Sequence, residues 1–289
     1  MFEGVYSAII TPFSADGEID EEGFRRIIEF VVDGGVSGIL PCGSTGESAT
    51  LSHDEHKKII DITTDASSVP VIAGTGSNNT GEAISLTKYA EDAGADAAML
   101  ITPYYNKPNR SGLIRHFTDV AKAVDLPIIL YNVPSRTGLN MPADVVVELS
   151  KVENILGIKE ASGKLSQIAK IIESTDDDFF LFSGNDEETL PIMSLGGVGV
   201  ISVAANIVPK EMRSLVDALK ECDLKRAREM HYKLLPLFEA MFLETNPIPV
   251  KKAAELIGLT SSRLRLPLAP MSEENEKILS NVLRSMGLF

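Results

Sequence analysis

The chain has 289 residues, 44% of them hydrophobic and 24% charged, enough to bury a large α/β core in one or two domains. A net charge of −14 at pH 7 argues against a nucleic-acid surface, which needs a basic stripe. It leaves room for a small anionic substrate held by a few local donors. Cys42 and Cys222 are too few for a disulfide framework or a metal knuckle. No apolar run approaches the roughly 18–20 residues of a membrane span, and the first residues lack the basic and apolar regions of a signal peptide. A cytoplasmic protein with neither membrane nor nucleic acid as a partner is expected.

In chain order, short β-rich apolar runs alternate with longer segments of helical period. Residues 5–10 read as a strand, and 21–33 as a helix stopped at Gly34-Gly35. Residues 38–40 and 52–64 form the next pair, the helix opened by a capping box with Ser52 at the N-cap and Glu55 at N3. Six more pairs follow: 69–74 with 79–93, 97–101 with 112–124, 127–131 with 142–150, 155–159 with 164–173, 179–183 with 187–195, and 199–203 with 209–221. Eight strand–helix units in about 220 residues suit a (β/α)8 TIM barrel. An open doubly wound sheet is the rival. It usually carries a glycine-rich turn after its first strand, whereas here that turn is Thr11-Pro12-Phe13-Ser14, and neither GxGxxG nor GxxxxGK[ST] occurs. Beyond residue 223 the β signals stop, and 224–244, 250–257 and 272–286 read as helices. The expected organisation is a barrel over 1–223 and a C-terminal helical region over 224–289.

The sixth strand candidate carries a single lysine, Lys159, among apolar neighbours. Side chains alternate along a strand, so if Ile158 faces the helices, Lys159 faces the barrel interior. Burial there disfavours the ammonium, and a neutral amine can attack a carbonyl to form a Schiff base. The plainer alternative is a strand-end lysine that snorkels to water. Other polar residues gather at the same carboxyl ends of the strands, where barrels keep their chemistry. Gly43-Ser44-Thr45-Gly46-Glu47 follows the second strand, Tyr104-Tyr105-Asn106 the fourth, and Tyr131 with Arg136 the fifth. Taken singly, the glycine loop is a tight turn, the tyrosines are packing and Arg136 is a surface ion pair. Together they make a coherent set: backbone N–H groups of Ser44 and Thr45 suited to a carboxylate, a phenol beside the lysine for proton relay, and a guanidinium fork for a second carboxylate.

These motifs resemble the family of lysine-dependent, pyruvate-using barrel enzymes that includes N-acetylneuraminate lyase and dihydrodipicolinate synthase. The resemblance runs from the Thr11-Pro12-Phe13 turn through Ile158-Lys159-Glu160-Ala161 to the helical tail. Tyr104-Tyr105-Asn106 and Asn132-Val133-Pro134-Ser135-Arg136-Thr137-Gly138 point to the synthase branch over the sialate and keto-deoxy-sugar aldolases, which remain the alternative. The resemblance implies condensation of pyruvate with L-aspartate 4-semialdehyde through a lysine Schiff base, on the way to diaminopimelate and lysine, with no cofactor or metal. Lys159 would be the Schiff-base lysine, and Tyr131, Ser44 and Tyr105 the proton relay, with Tyr105 arriving from a neighbouring subunit of a tight dimer. Thr45 would hold the pyruvate carboxylate, Arg136 the carboxylate of the semialdehyde, and Gly184 and Ile201 would shape the floor by their backbone groups. A homotetramer built from such dimers is implied. Ser44 departs from the family's usual threonine: it keeps the hydroxyl and loses the methyl that fixes its rotamer. Ser48, Ala49, His53, His56, Asn78, Glu82 and Tyr104 match positions where lysine-inhibited members bind L-lysine, with Glu82 receiving its ammonium. His53 and His56 lack the spacing and third ligand of a metal site. Otherwise they read as two exposed helix histidines.

Overall fold

The eight strands run parallel and succeed one another around a barrel in a computed structural model that describes residues 2–289. In chain order the elements are β1 (Gly4–Ala8), α1 (Glu21–Asp33), β2 (Gly38–Leu40), α2 (His53–Ala66), β3 (Ile72–Gly74), α3 (Thr80–Asp92), β4 (Ala97–Ile101), α4 (Arg110–Ala121), β5 (Ile128–Asn132), α5 (Pro134–Thr137), α6 (Ala143–Leu149), β6 (Ile155–Glu160), α7 (Leu165–Ser174), β7 (Phe180–Ser183), α8 (Thr189–Ser194), β8 (Gly199–Ser202), α9 (Pro209–Lys220), α10 (Leu224–Ala240), α11 (Ile248–Leu256) and α12 (Glu273–Ser285). The sheet order is β2-β1-β8-β7-β6-β5-β4-β3. The ring closes between β2 and β3 through the Ile39–Val71 bridge, with Ile39 N–H donating to Pro70 O at 2.9 Å and Gly74 N–H to Pro41 O at 3.0 Å. Pro41 and Pro70 have no N–H to give the ladder, and β3 is shorter than the expected 69–74 run. The fold is the (β/α)8 barrel.

Local chemistry sets the helix starts. Asp20 caps α1 by accepting from Gly23 N–H at 2.9 Å. The capping box of Ser52 and Glu55 opens α2 as the spacing predicts. One helix escaped the periodic reading, α5, whose four residues are too few for a period. Pro134 at its first turn presets φ, and Gly138, at φ +69°, ends it in the left-handed region where glycine is unstrained.

Two apolar layers follow from the alternation of strand side chains. Ile158, Leu130, Leu181 and Val200 face outward into the large core beneath the helices. Tyr6, Ala8, Leu40, Met99, Ile129, Tyr131, Phe180, Phe182 and Ile201 fill the interior. The interior is not filled evenly. Tyr6 and Phe182 meet edge-on at 5.4 Å between centroids, and Phe180 meets Phe182 at 5.7 Å, plugging the barrel with aromatic rings. Toward the carboxyl ends Ala8 and Gly184 stand instead, and a space remains. After β8 the chain is helical: α10 packs on α9 and α12, and α11 packs on α12. Against the expected 224–244, 250–257 and 272–286, α10 and α12 are shorter, while α11 begins two residues earlier and ends one sooner. No helix among the described residues is long and apolar enough to cross a membrane.

Candidate active site

β6 delivers Lys159 into that space. In the parallel register Lys159 pairs with Tyr131 of β5 on one side and Phe182 of β7 on the other, so all three point inward. The side chain is buried at 5% exposure, with Nζ 4.5 Å from the centroid of the Tyr131 ring. Burial pulls the amine down from its ordinary 10.5 to about 7; Asp186 pulls it back up, and the cation of Arg136 pushes it lower. The same burial pushes the Tyr131 phenol up to about 12, against the pull of Arg136. A large share of the lysine is therefore a neutral nucleophile at neutral pH, beside a phenol that keeps its proton.

Lys159, Tyr131, Ser44, Thr45, Arg136 and Gly184 line one cavity of about 60 Å³. Gly184 is needed there for close approach: a Cβ would lie 2.6 Å from Ala161 Cβ and 3.0 Å from Glu160 O. The β2–α2 loop is wound tightly, with Gly46 and Ser48 N–H donating to Gly43 O at 3.1 and 3.3 Å and Thr11 Oγ1 donating to Gly46 O at 2.8 Å. It leads into a short 3-10 turn, Ser48–Thr50, before α2 begins. Arg136, on α5, makes no ion pair among the described residues; its Nη2 donates to Asn246 O at 2.9 Å.

Two of the expected residues stand apart from this cavity. Ile201 is buried in the barrel interior, and it is Val203, two residues on, that reaches the cavity wall. Tyr105 is 89% exposed at the tip of its loop and does not line this cavity.

Three residues come into view only with the structure. Asn246 donates to Thr45 Oγ1 at 2.9 Å and lines the cavity, 201 positions away in sequence. Phe242 lines the same cavity. Asp186 is buried near Lys159; its Oδ2 accepts from the N–H groups of Val203 and Ala204 at 3.1 and 2.9 Å, while Oδ1 has no partner among the described residues. Burial raises its carboxyl, and those donors together with Ser202 and Lys159 hold it down. Asp186 lies three residues past the seventh strand candidate, 179–183, among the strand-end positions where barrels keep their chemistry.

A wider cavity of about 460 Å³ adjoins the first and shares Ser44, Arg136 and Asn246 with it. Ser48, Ala49, His53, His56, Glu82 and Tyr104 all line it, and Asn78 does not. Asn78 braces the β4–α4 loop, its Nδ2 donating to Tyr104 O at 3.2 Å and its O accepting from Asn106 at 2.8 Å. The two histidines do not share a solvent-exposed face. His53 is exposed and pairs with Glu82 at 2.7 Å. His56 is buried, with Nε2 2.7 Å from Gly74 O, and burial lowers its pKa. Glu82 is also bonded by Ser77 Oγ. No group of three or more His, Cys, Asp or Glu side chains among the described residues is placed to hold a metal ion.

A parallel (β/α)8 barrel whose sixth strand sets a neutral-leaning amine beside a phenol defines a protein equipped for imine chemistry. The chain belongs to the dihydrodipicolinate synthetase family, whose model matches residues 1–286. It is 62% identical over 289 residues to the 4-hydroxy-tetrahydrodipicolinate synthase of Methanosarcina mazei, covering 100% of this chain and 99% of that one. A dihydrodipicolinate synthase of Acinetobacter baumannii, solved with pyruvate, superposes with a TM-score of 0.98 at 41% identity and full coverage of both chains. The Cyanidioschyzon merolae enzyme, solved with lysine bound, gives a TM-score of 0.97 at 39% identity over 100% of this chain and 99% of that one.

Proposed function

We propose that the chain condenses pyruvate with L-aspartate 4-semialdehyde to give 4-hydroxy-tetrahydrodipicolinate. The observation that carries this is the buried Lys159 amine, drawn down to about 7 beneath the Tyr131 ring. Neutral Lys159 attacks the pyruvate carbonyl, and the carbinolamine loses water to leave an iminium. Tyr131, with Ser44, passes protons to the departing oxygen. The iminium draws electrons from the methyl carbon, which gives up a proton to become an enamine. That carbon bonds to the aldehyde carbon of the second substrate, whose oxygen takes up a proton. The free amine of the same substrate then replaces Lys159 on the former carbonyl carbon, closing the ring and releasing the enzyme.

Thr45 and its loop hold the pyruvate carboxylate, Arg136 the semialdehyde carboxylate, and the backbone of Gly184 shapes the floor, with Ile201 packed in the barrel interior outside the cavity lining. Tyr105 joins the relay from a neighbouring subunit, within a homotetramer of tight dimers working in the cytoplasm. Borohydride reduction in the presence of pyruvate, followed by peptide mass mapping, is expected to place the adduct on Lys159. An unmodified, folded protein would overturn the reading. Arg136→Ala is expected to raise KM for the semialdehyde by roughly 10²-fold, the effect of one lost bidentate carboxylate contact, and to leave pyruvate trapping in place. Turnover of sialate in preference to the semialdehyde would favour the aldolase alternative.

The wider cavity is read as a site for L-lysine, with Glu82 taking the ammonium and Ser48, Ala49, His53, His56 and Tyr104 around it. Glu82 already holds His53 and Ser77, so a ligand ammonium displaces or shares the His53 contact. Asn78 acts there by bracing the loop of Tyr104. Titrating turnover with L-lysine tests this, and a flat response to millimolar concentrations would sink it.

A further inference from the structure

The loop that carries Ser44 and Thr45 is held from behind by a charge pair that lies wholly out of water. Lys251 Nζ, on α11, meets Glu47 Oε1 at 2.5 Å, and both side chains are fully buried. Glu47 sits in the left-handed region at φ +54°, a conformation a non-glycine residue keeps only where its surroundings hold it. Its second oxygen accepts from Arg265 N–H at 3.2 Å. Arg265 in turn donates to Gly17 O at 2.7 Å and to Thr50 O at 3.1 Å, and grips Glu55 with both nitrogens. The Lys251 ammonium and the Arg265 guanidinium each stand 4.3 Å from the centroid of the Phe13 ring. Residues 251–265 thus reach across the barrel mouth and fasten both of the first two βα loops.

A buried ion pair is a weak source of stability, because desolvation offsets the attraction. What such a pair does supply is a single arrangement, since either charge alone is expelled from that position. We propose that Glu47 and Lys251 are positioning residues for the reaction: they fix the Ser44–Thr45 loop in the geometry that receives the first substrate's carboxylate. The C-terminal helices are then part of the site and not a cover over it. This role rests on pyruvate being the first substrate.

Three charge-removing variants test it, with Lys251→Arg as the charge-keeping control: Glu47→Gln, Lys251→Met, and the two together, which removes both charges with little change in volume. Melting by circular dichroism establishes that each is folded. Steady-state kinetics then separates KM for pyruvate from KM for the semialdehyde. The expected result for the double variant is a rise of about tenfold in KM for pyruvate, the size of effect that a small misplacement of binding groups produces. KM for the semialdehyde stays within about twofold, and Lys159 is still trapped at saturating pyruvate. Lys251→Arg, which keeps the charge, recovers part of the affinity. A folded double variant with unchanged KM for pyruvate overturns the proposal. So does a parallel fall of both affinities and kcat, or failure of all three variants to fold, either of which assigns the pair to stability. If the unaltered protein itself fails to turn over the two substrates, it is the functional reading that falls.

Discussion

As the proposed nucleophile, Lys159 answers to two opposed demands. Chemistry needs an amine that is neutral near pH 7, and folding pays least when a lysine stays in water. The barrel meets the first demand against the second. With the amine at about 7 in the fold and its ordinary 10.5 in the unfolded chain, the unfolded chain binds a proton between those values that the folded chain does not. Stability therefore rises with pH across that window, and the destabilisation is complete below about 7. At 1.36 kcal/mol per unit, the whole shift is on the order of a few kcal/mol. Lys159→Met is therefore expected to melt above the unaltered protein at pH 6 and to lose pyruvate trapping altogether. A lower melting temperature at pH 6 would contradict the burial argument. For the unaltered protein, the initial rate of borohydride trapping should climb as pH passes through about 7 and then level off, because only the neutral amine attacks.

At the scale of elements, the ends of β5 and β6 are locked together on the face opposite the cavity. Asn132 Nδ2 lies 3.1 Å from both Glu160 oxygens, and its Oδ1 accepts from Met141 N–H at 2.9 Å. Gln167 and Ser162 N–H complete the shell of Glu160, at 3.1 and 2.8 Å. Tyr131 and Lys159 each stand one residue before a member of this lock, so it sets how the phenol faces the amine. Asn132→Leu keeps the volume and strips the carboxylate of its amide partner in a site that water does not reach. The expected loss is about 3 kcal/mol, read from urea unfolding, with imine trapping slowed as well; a loss under about 0.5 kcal/mol would mean Glu160 finds new partners.

The eight-fold alternation was legible because strand and helix periods are local, and so was the inward face of Lys159, one step from Ile158. The lock was not, because nothing local links Asn132 to Glu160, 28 positions away, until the parallel register sets them side by side. Asn246 and Lys251 were still further from sight. Their partners Thr45 and Glu47 lie 201 and 204 residues away, and no spacing rule spans that distance.

At the scale of the whole molecule, Tyr105 is the feature one chain cannot explain. Its loop is firmly built: Asn106 N–H donates to Tyr104 O at 2.8 Å, Asn106 Nδ2 donates to Asn78 O at 2.8 Å, and Tyr105 itself holds φ +68°. That strain and bracing present an aromatic ring to solvent at 89% exposure. A large ring held out this rigidly suits an interface between subunits, where the apolar body is covered and the phenol finds a polar partner. If it enters the relay of a neighbouring site, Tyr105→Phe should keep the assembly, as judged by sedimentation, and lower kcat by about 10²-fold, the usual worth of a positioned proton donor. Complementation decides whether the phenol acts across the interface. Tyr105→Phe protomers contribute an intact Lys159, and Lys159→Met protomers contribute an intact Tyr105. Dissociated and reassociated together, they form mixed dimers in which one site has both groups. Recovery of activity well above that of either variant alone is expected. Assembly into mixed dimers without recovery would mean that Tyr105 serves its own chain or none.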